Sequence, residues 1–155
     1  MTRKQKVDTK QVMLAPNALI PFDDKRIPYP DMLGSYKLDG NRCFIRHDGA
    51  ILTRNMLPQP NKNLAKFLGP LADYAKDSNR CFDMELFIPN ATHHGVHGSI
   101  FNAHDKSIPK ETQVHVFDTF SGESWEGRDS FAALEDRVKV LRAILEDFST
   151  PFIAV

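Results

Sequence analysis

The sequence is poor in the residues that covalent and metal scaffolds require. Its 155 residues include two cysteines, Cys43 and Cys81, neither in a C-x-x-C or zinc-ligand spacing. That excludes a disulfide framework, and both read as reduced, buried, structural thiols. No run approaches the ~20 consecutive apolar residues of a membrane helix. The opening Met1-Thr2-Arg3-Lys4-Gln5-Lys6 is not followed by an apolar signal core, so the expectation is a cytoplasmic protein with no membrane partner. The 8 glycines and 10 prolines follow no fixed period, and there is no repeat or low-complexity segment, which excludes collagen-like and solenoid architectures. Net charge is absent as well, with 20 basic against 20 acidic residues.

What is present is ordinary globular composition, 41% hydrophobic and 26% charged, in a chain long enough for one real core. The charge is unevenly distributed: residues 1–80 carry +6 and residues 81–155 carry −6, either a phosphate-facing side or two solvated faces. Pro16, Pro21, Pro28, Pro30 and Asp23-Asp24 predict an irregular arm over residues 1–33. From residue 34 the pattern becomes regular. Tyr36-Lys37-Leu38-Asp39 alternates, Cys43-Phe44-Ile45-Arg46 reads as a strand, and Asp48-Gly49 marks a tight hairpin into Ile51-Leu52-Thr53-Arg54. Asn61 is placed to cap a helix bearing Leu64, Phe67, Leu68 and Leu71, which Gly69-Pro70 should break into short pieces.

Arg80 to Ile88 predicts a strand with Phe82, Met84, Leu86 and Ile88 on one face and Cys81, Asp83, Glu85 and Phe87 on the other. Gln113 to Phe120 predicts another, and Gly122 to Arg128 a surface loop. Phe131, Leu134, Val138, Leu141, Leu145 and Phe148 recur at helical spacing, with Asp129 or Ser130 as cap and Pro151 beyond the end. Phe152 to Val155 begins a strand. The expected class is α+β, an antiparallel twisted sheet bearing the site on one face with flanking helices.

The most informative segment is Lys37-Leu38-Asp39-Gly40-Asn41-Arg42. Alternation sets Lys37 and Asp39 on one face, Gly40 permits a sharp turn, and Arg42 opens the next strand. A nucleophilic lysine must lose its proton near neutral pH, and a neighbouring cation such as Arg42 together with desolvation is the usual means. Four fixed residues of this kind arise by chance in roughly one such chain in 400, so the companions decide.

Those companions resemble the nucleotidyltransferase domain of ATP-dependent DNA ligases, particularly the small viral type, whose superfamily also holds RNA ligases and capping enzymes. K-x-D-G-x-R stands as Lys37 to Arg42. Val12-Met13-Leu14-Ala15 is similar to the "PMLA" segment, with Val12 replacing proline, and Leu52-Thr53-Arg54-Asn55 to the S/T-R-N motif. Phe82-Asp83-Met84-Glu85-Leu86 resembles D-G-E-L/I, with Met84 replacing glycine. Val116 to Phe120 resembles the "V-F-D" strand, and Leu134 to Leu145 with Arg137 the helix after it.

The resemblance implies a DNA ligase/mRNA capping nucleotidyltransferase fold, ATP-grasp-like and incomplete, over residues 34–155. It implies nicked duplex DNA as partner, roles in replication, repair and recombination, and a bacterial or viral-host cytosol. Lys37 would form lysyl-AMP and expel pyrophosphate. Arg42 and Arg54 would contact ribose, phosphate or the nicked end. Glu85 would bind the ribose, Phe117 would stack on adenine, and Asp39 would support Lys37 and the turn. ATP and Mg²⁺ are the implied cofactors, with no residue of this sequence assigned as a metal ligand. Glu85→Ala is expected to leave the melting temperature nearly unchanged. Asp83, sharing Glu85's face, reads as a solvated edge and stays outside the expected site, and Tyr36 reads as packing.

His93-His94-Gly95-Val96-His97-Gly98 has short histidine spacings, but no Cys, Asp or Glu completes a ligand set beside it, so it reads as a glycine-hinged loop. The family's later E-G-x-x-x-K motif and OB-fold barrel do not occur in the sequence, and no K-x-K follows Lys37. The chain alone is therefore expected to adenylylate itself weakly or not at all, with a separately encoded C-terminal fragment as a candidate partner. RNA ligase is the alternative enzyme, and a non-catalytic nucleotide- or partner-binding remnant the alternative of another class.

Overall fold

A computed structural model describes residues 37–100, 106–148 and 151–155. The arm expected over 1–33, the Val12 to Ala15 segment and Tyr36 lie outside the described residues. The strands are β1 (Asn41–Ile45), β2 (Ile51–Thr53), β3 (Arg80–Phe87), β4 (Gln113–Ser121) and β5 (Phe152–Ala154). They form one sheet in the order β2-β1-β3-β4-β5. The helices are α1 (Lys62–Phe67), α2 (Gly69–Asp77), α3 (His93–Ile100), α4 (Gly122–Glu126) and α5 (Leu134–Glu146).

Four strands pair antiparallel, but β5 joins β4 in parallel. The α+β class stands, while a wholly antiparallel sheet does not. The physical reason is the connection: α5 carries the chain back along the sheet between β4 and β5, and such a crossover returns a strand in the same direction. The β1–β2 hairpin turns where expected. Gly49 takes φ +83° and its N–H donates to the Arg46 carbonyl at 2.8 Å, a backbone position that suits glycine.

One face of the sheet is the core. Cys43, Ile45, Phe82, Met84, Leu86, Val114 and Val116 pack under Leu64, Leu68 and Leu71 of the α1–α2 segment, Val96 and Ile100 of α3, and Leu141, Ile144 and Leu145 of α5. Each such side chain removed from water contributes about 1.5–3 kcal/mol. The opposite face carries a smaller apolar cluster at one end, Phe44, Leu52, Cys81 and Phe120, with Trp125 of α4 against Phe44 at 4.8 Å between ring centroids. Both cysteines are fully buried and free, one in each cluster, and burial pushes both thiols up to about 12.

Three elements differ from the sequence expectation. His93 to Ile100 is a helix rather than a hinged loop. Thr92 receives the Gly95 N–H at 3.1 Å on its hydroxyl, and Val96 and Ile100, one turn apart, are buried. Two glycines lower the intrinsic propensity, and tertiary burial overrides it. Gly122–Glu126 is a short helix, capped by the Ser121 hydroxyl and stopped by Gly127 at φ +75°. The long helix begins at Leu134, after Ala133, with neither Asp129 nor Ser130 as cap. The Ser130 carbonyl accepts instead from Ser124 Oγ, and Phe131 turns onto Phe120 at 5.1 Å, so this segment fastens to the sheet before the helix starts.

Asn61 and the Gly69-Pro70 break are as expected: α1 ends at Phe67 and α2 starts with Pro70 in its first turn. Asn61 is fully buried. Its Oδ1 accepts from Asn63 and Leu64 at 3.0 and 3.4 Å, and its Nδ2 donates to the Ile100 and Lys106 carbonyls at 2.8 and 3.3 Å. One side chain thus caps α1 and ties it to the end of α3. Asn61→Ala should lower stability in urea denaturation by about 2 kcal/mol. Asn61→Ser, which restores only the cap acceptor, should cost less.

Candidate functional site

The segment before β1 runs without regular pairing: Lys37 and Asp39 are exposed, Leu38 is half-buried and Gly40 is buried. The alternation of Lys37 and Asp39 survives, but the strand begins only at Asn41. What fixes this segment is a close approach to β3. A Cβ on Gly40 would lie 2.2 Å from the Leu86 carbonyl oxygen and 2.9 Å from Glu85 Cγ. Gly40 is required here because no side chain fits. Its N–H donates to Glu85 Oε1 at 3.1 Å.

Beyond Gly40 the register pairs Arg42 with Glu85 and Phe44 with Asp83. Arg42 Nε and Nη2 donate to the two Asp83 oxygens, each at 2.6 Å, and its guanidinium lies over the Phe117 ring, 4.4 Å from the centroid. A planar fork makes both contacts at once, where an ammonium could not. Asp83, read from sequence as a solvated edge, is only 7% exposed and is the partner that orients Arg42. Arg42 accordingly does not stand beside Lys37 as a bare cation.

Phe117 reaches this group because β4 is irregular. The β3–β4 register shifts between Asp83 and Met84, so that Asp83 pairs with Asp118 and Met84 with Val116, leaving Phe117 as the extra residue of a bulge. A bulge interrupts strict alternation, and both Phe117 and Asp118 find partners around Asp83. His115 faces Glu85 in the same ladder and packs edge-on against Phe87. Arg54 stands apart, exposed in the turn after β2 on the far side of β1 from Glu85.

Electrostatically the centre is a pair of carboxylates, Asp83 buried and Glu85 half-buried, beside one guanidinium. Burial raises the Glu85 carboxyl above its ordinary value, while Arg42, the Gly40 N–H and Lys37 favour its ionised form. Burial likewise raises Asp83, opposed by the Arg42 hydrogen bonds and reinforced by Asp118. A separate cleft of about 210 Å³ lies at the other end of β3, lined by Arg80, Phe120, Ser124, Asp136 and Arg137. Among the described residues, no three His, Cys, Asp or Glu side chains cluster to hold a metal, and no helix is long and apolar enough to cross a membrane.

The solved structures similar to this chain include the Chlorella virus DNA ligase-adenylate, at TM-score 0.55 and 17% identity over 77% of this chain and 40% of that one. The fold is shared with DNA ligases. A second ligase-adenylate structure from Chlorella virus agrees at TM-score 0.55 and 18% identity, over the same shares of the two chains. Pmar-Lig_PreS3 agrees at TM-score 0.56 and 16% identity over 76% of this chain and 28% of that one. The chain thus spans 40% or less of the length of these ligase structures. No protein-family model and no curated protein sequence matches it.

The Glu85–Gly40 contact revises one expectation. Glu85→Ala removes the hydrogen bond between Glu85 and the buried Gly40 N–H, which contributes about 0.5–1.5 kcal/mol, so its melting temperature should fall. Glu85→Gln keeps an acceptor and should melt close to the parent. Gly40→Ala should lose about 2–3 kcal/mol through overpacking against β3. Urea and thermal melts check all three, and equal stability of Glu85→Ala and the parent would deprive the contact of energetic weight.

Proposed function

We propose that the segment leading into this sheet carries the adenylyl-accepting lysine of an ATP-dependent DNA ligase. The observation that carries the reading is Glu85 accepting the Gly40 N–H. It brings K-x-D-G-x-R against a half-buried carboxylate on a ligase fold, with Lys37 at the rim. In this reading Lys37 Nζ attacks the α-phosphorus of ATP. A P–N bond forms, the bond from the α-phosphorus to the α–β bridging oxygen breaks, pyrophosphate leaves with that electron pair, and the proton shed by the attacking amine passes to water.

Asp83 holds Arg42 through Nε and one hydrogen of Nη2, so the fork's remaining N–H groups are oriented for ribose or phosphate. Arg42 covers one face of Phe117, and adenine uses the other. The second oxygen of Glu85 takes a ribose hydroxyl. Asp39 supports the turn, and Arg54, at the end of the sheet where Arg42 lies, reaches towards the nucleic-acid phosphate. Nicked duplex DNA is the substrate of the activity this site serves.

The described residues do not build a cage for a divalent ion, and Asp83 is committed to Arg42. Magnesium dehydrates reluctantly and commonly rides on phosphate oxygens and water. It would enter on the triphosphate, and the residues above bind and orient without it.

Lysyl-AMP is a single-turnover product, so even a slow step accumulates it. Incubation with α-labelled ATP and Mg²⁺ should give an acid-labile adduct that maps to Lys37. Lys37→Ala and Lys37→Arg should both abolish it, the latter because a guanidinium stays protonated. An adduct that survives Lys37→Ala, or one that maps to another residue, would overturn the assignment.

A further inference from the structure

The bulge in β4 sets two carboxylates against each other. Asp83 and Asp118 are directly opposed across β3 and β4, an arrangement that destabilises a sheet when both are charged and unpartnered. Each has its own guanidinium. Arg42 grips Asp83 at 2.6 Å through both oxygens, and Arg137 grips Asp118 at 2.8 and 2.9 Å. Side-chain exposure along the row is low, 19% and 10% for the first pair and 16% and 20% for the second. Three members come from the sheet, and Arg137 comes from the first turn of α5. Arg137 also donates to the Ala132 carbonyl, so its head group is held on two sides.

We infer that Arg137 is a positioning residue for Arg42: by neutralising Asp118 across the bulge, it lets Asp83 remain ionised and lock Arg42 over Phe117. The alternative is that Arg137 is a staple between α5 and β4 and nothing more. The two differ in what matters, the charge left on Asp118 or the bond itself. The groups facing Asp83 are Arg42 from β1, Glu85 on β3 and Asp118 from β4, with Arg137 of α5 behind Asp118, His115 facing Glu85, and Lys37 near Glu85. Asp118 works to raise the Asp83 carboxyl, the direction the inference requires once its counter-ion is gone. The link to adenylyl transfer rests on the function proposed above, whereas the charge coupling does not.

Carboxyl-carbon NMR titration of Asp83, assigned with Asp83→Asn, separates the two readings. In Arg137→Gln the Asp83 midpoint should rise by about one pH unit, and the Arg42 Nε–H signal should broaden near neutral pH. Adding Asp118→Asn to Arg137→Gln removes the charge without restoring the bond, and both signals should return towards the parent. Should Arg137→Gln not fold, Asp118→Asn alone tests the same coupling in the opposite direction, with the Asp83 midpoint falling. An unchanged midpoint in whichever single variants fold, or a double variant no closer to the parent than Arg137→Gln, would overturn the inference. Adenylyl transfer should fall about tenfold in Arg137→Gln, equivalent to ~1.4 kcal/mol, and recover in the double variant. The labelling bears on the proposed function alone, since the titration decides the coupling.

Discussion

The geometry of the site depends on how closely Gly40 approaches β3. With no side chain at Gly40, the backbone comes within reach of the Leu86 carbonyl and the Glu85 carboxylate. From that point the antiparallel register leaves no choice: Asn41 meets Leu86, Arg42 meets Glu85, and Phe44 meets Asp83. The side chain of Arg42 therefore arrives beside Asp83 and Phe117 because of a backbone contact two residues earlier. Moving that contact by one residue would turn every following side chain to the other face. Lys37, three residues before Gly40, is exposed just ahead of this contact.

The sheet divides its labour by face. Towards the helices it is largely apolar, interrupted by the buried Asn41, which meets His97 of α3, and by Thr119, and that packing supplies the stability. The other face has an apolar cluster where Phe44, Cys81, Phe120 and Trp125 gather, and is charged where β1, β3 and β4 run past Asp83, with Phe117 under the Arg42 guanidinium. Carboxylates this deeply placed persist because each has a fork of donors. Removing one partner of such a pair strands a buried charge, typically at a cost of 3–5 kcal/mol. Stability and site are thus coupled through β3, whose alternate residues serve one face and then the other.

That alternation was legible in the sequence: Phe82, Met84 and Leu86 against Cys81, Asp83 and Glu85 is a period of two that only a strand satisfies. The Asp48-Gly49 turn, the Asn61 cap and the Gly69-Pro70 break were legible because each is local chemistry. What could not be read is what depends on two segments at once. The bulge that gives Asp118 and Phe117 to the site is a property of the β3–β4 register and leaves no mark in β4 alone. The role of Asp83 follows from it. The parallel entry of β5 is a matter of topology, and α3 was hidden by two glycines whose cost tertiary burial outweighs. The sequence sets Arg42 near Lys37, but its pairing with Asp83 is a contact between two strands and leaves no mark in either one.

The central claim is that the turn held by Glu85 presents Lys37 as a nucleophile towards a nucleotide α-phosphate. Phosphorus NMR of ATP-treated protein carrying heavy nitrogen at lysine Nζ tests it most directly, because only a phosphoramidate joins phosphorus to that nitrogen. The account predicts one adenylate resonance split by coupling to a lysine nitrogen and absent from Lys37→Ala. An adenylate resonance without nitrogen coupling, or a coupled one that persists in Lys37→Ala, would contradict it.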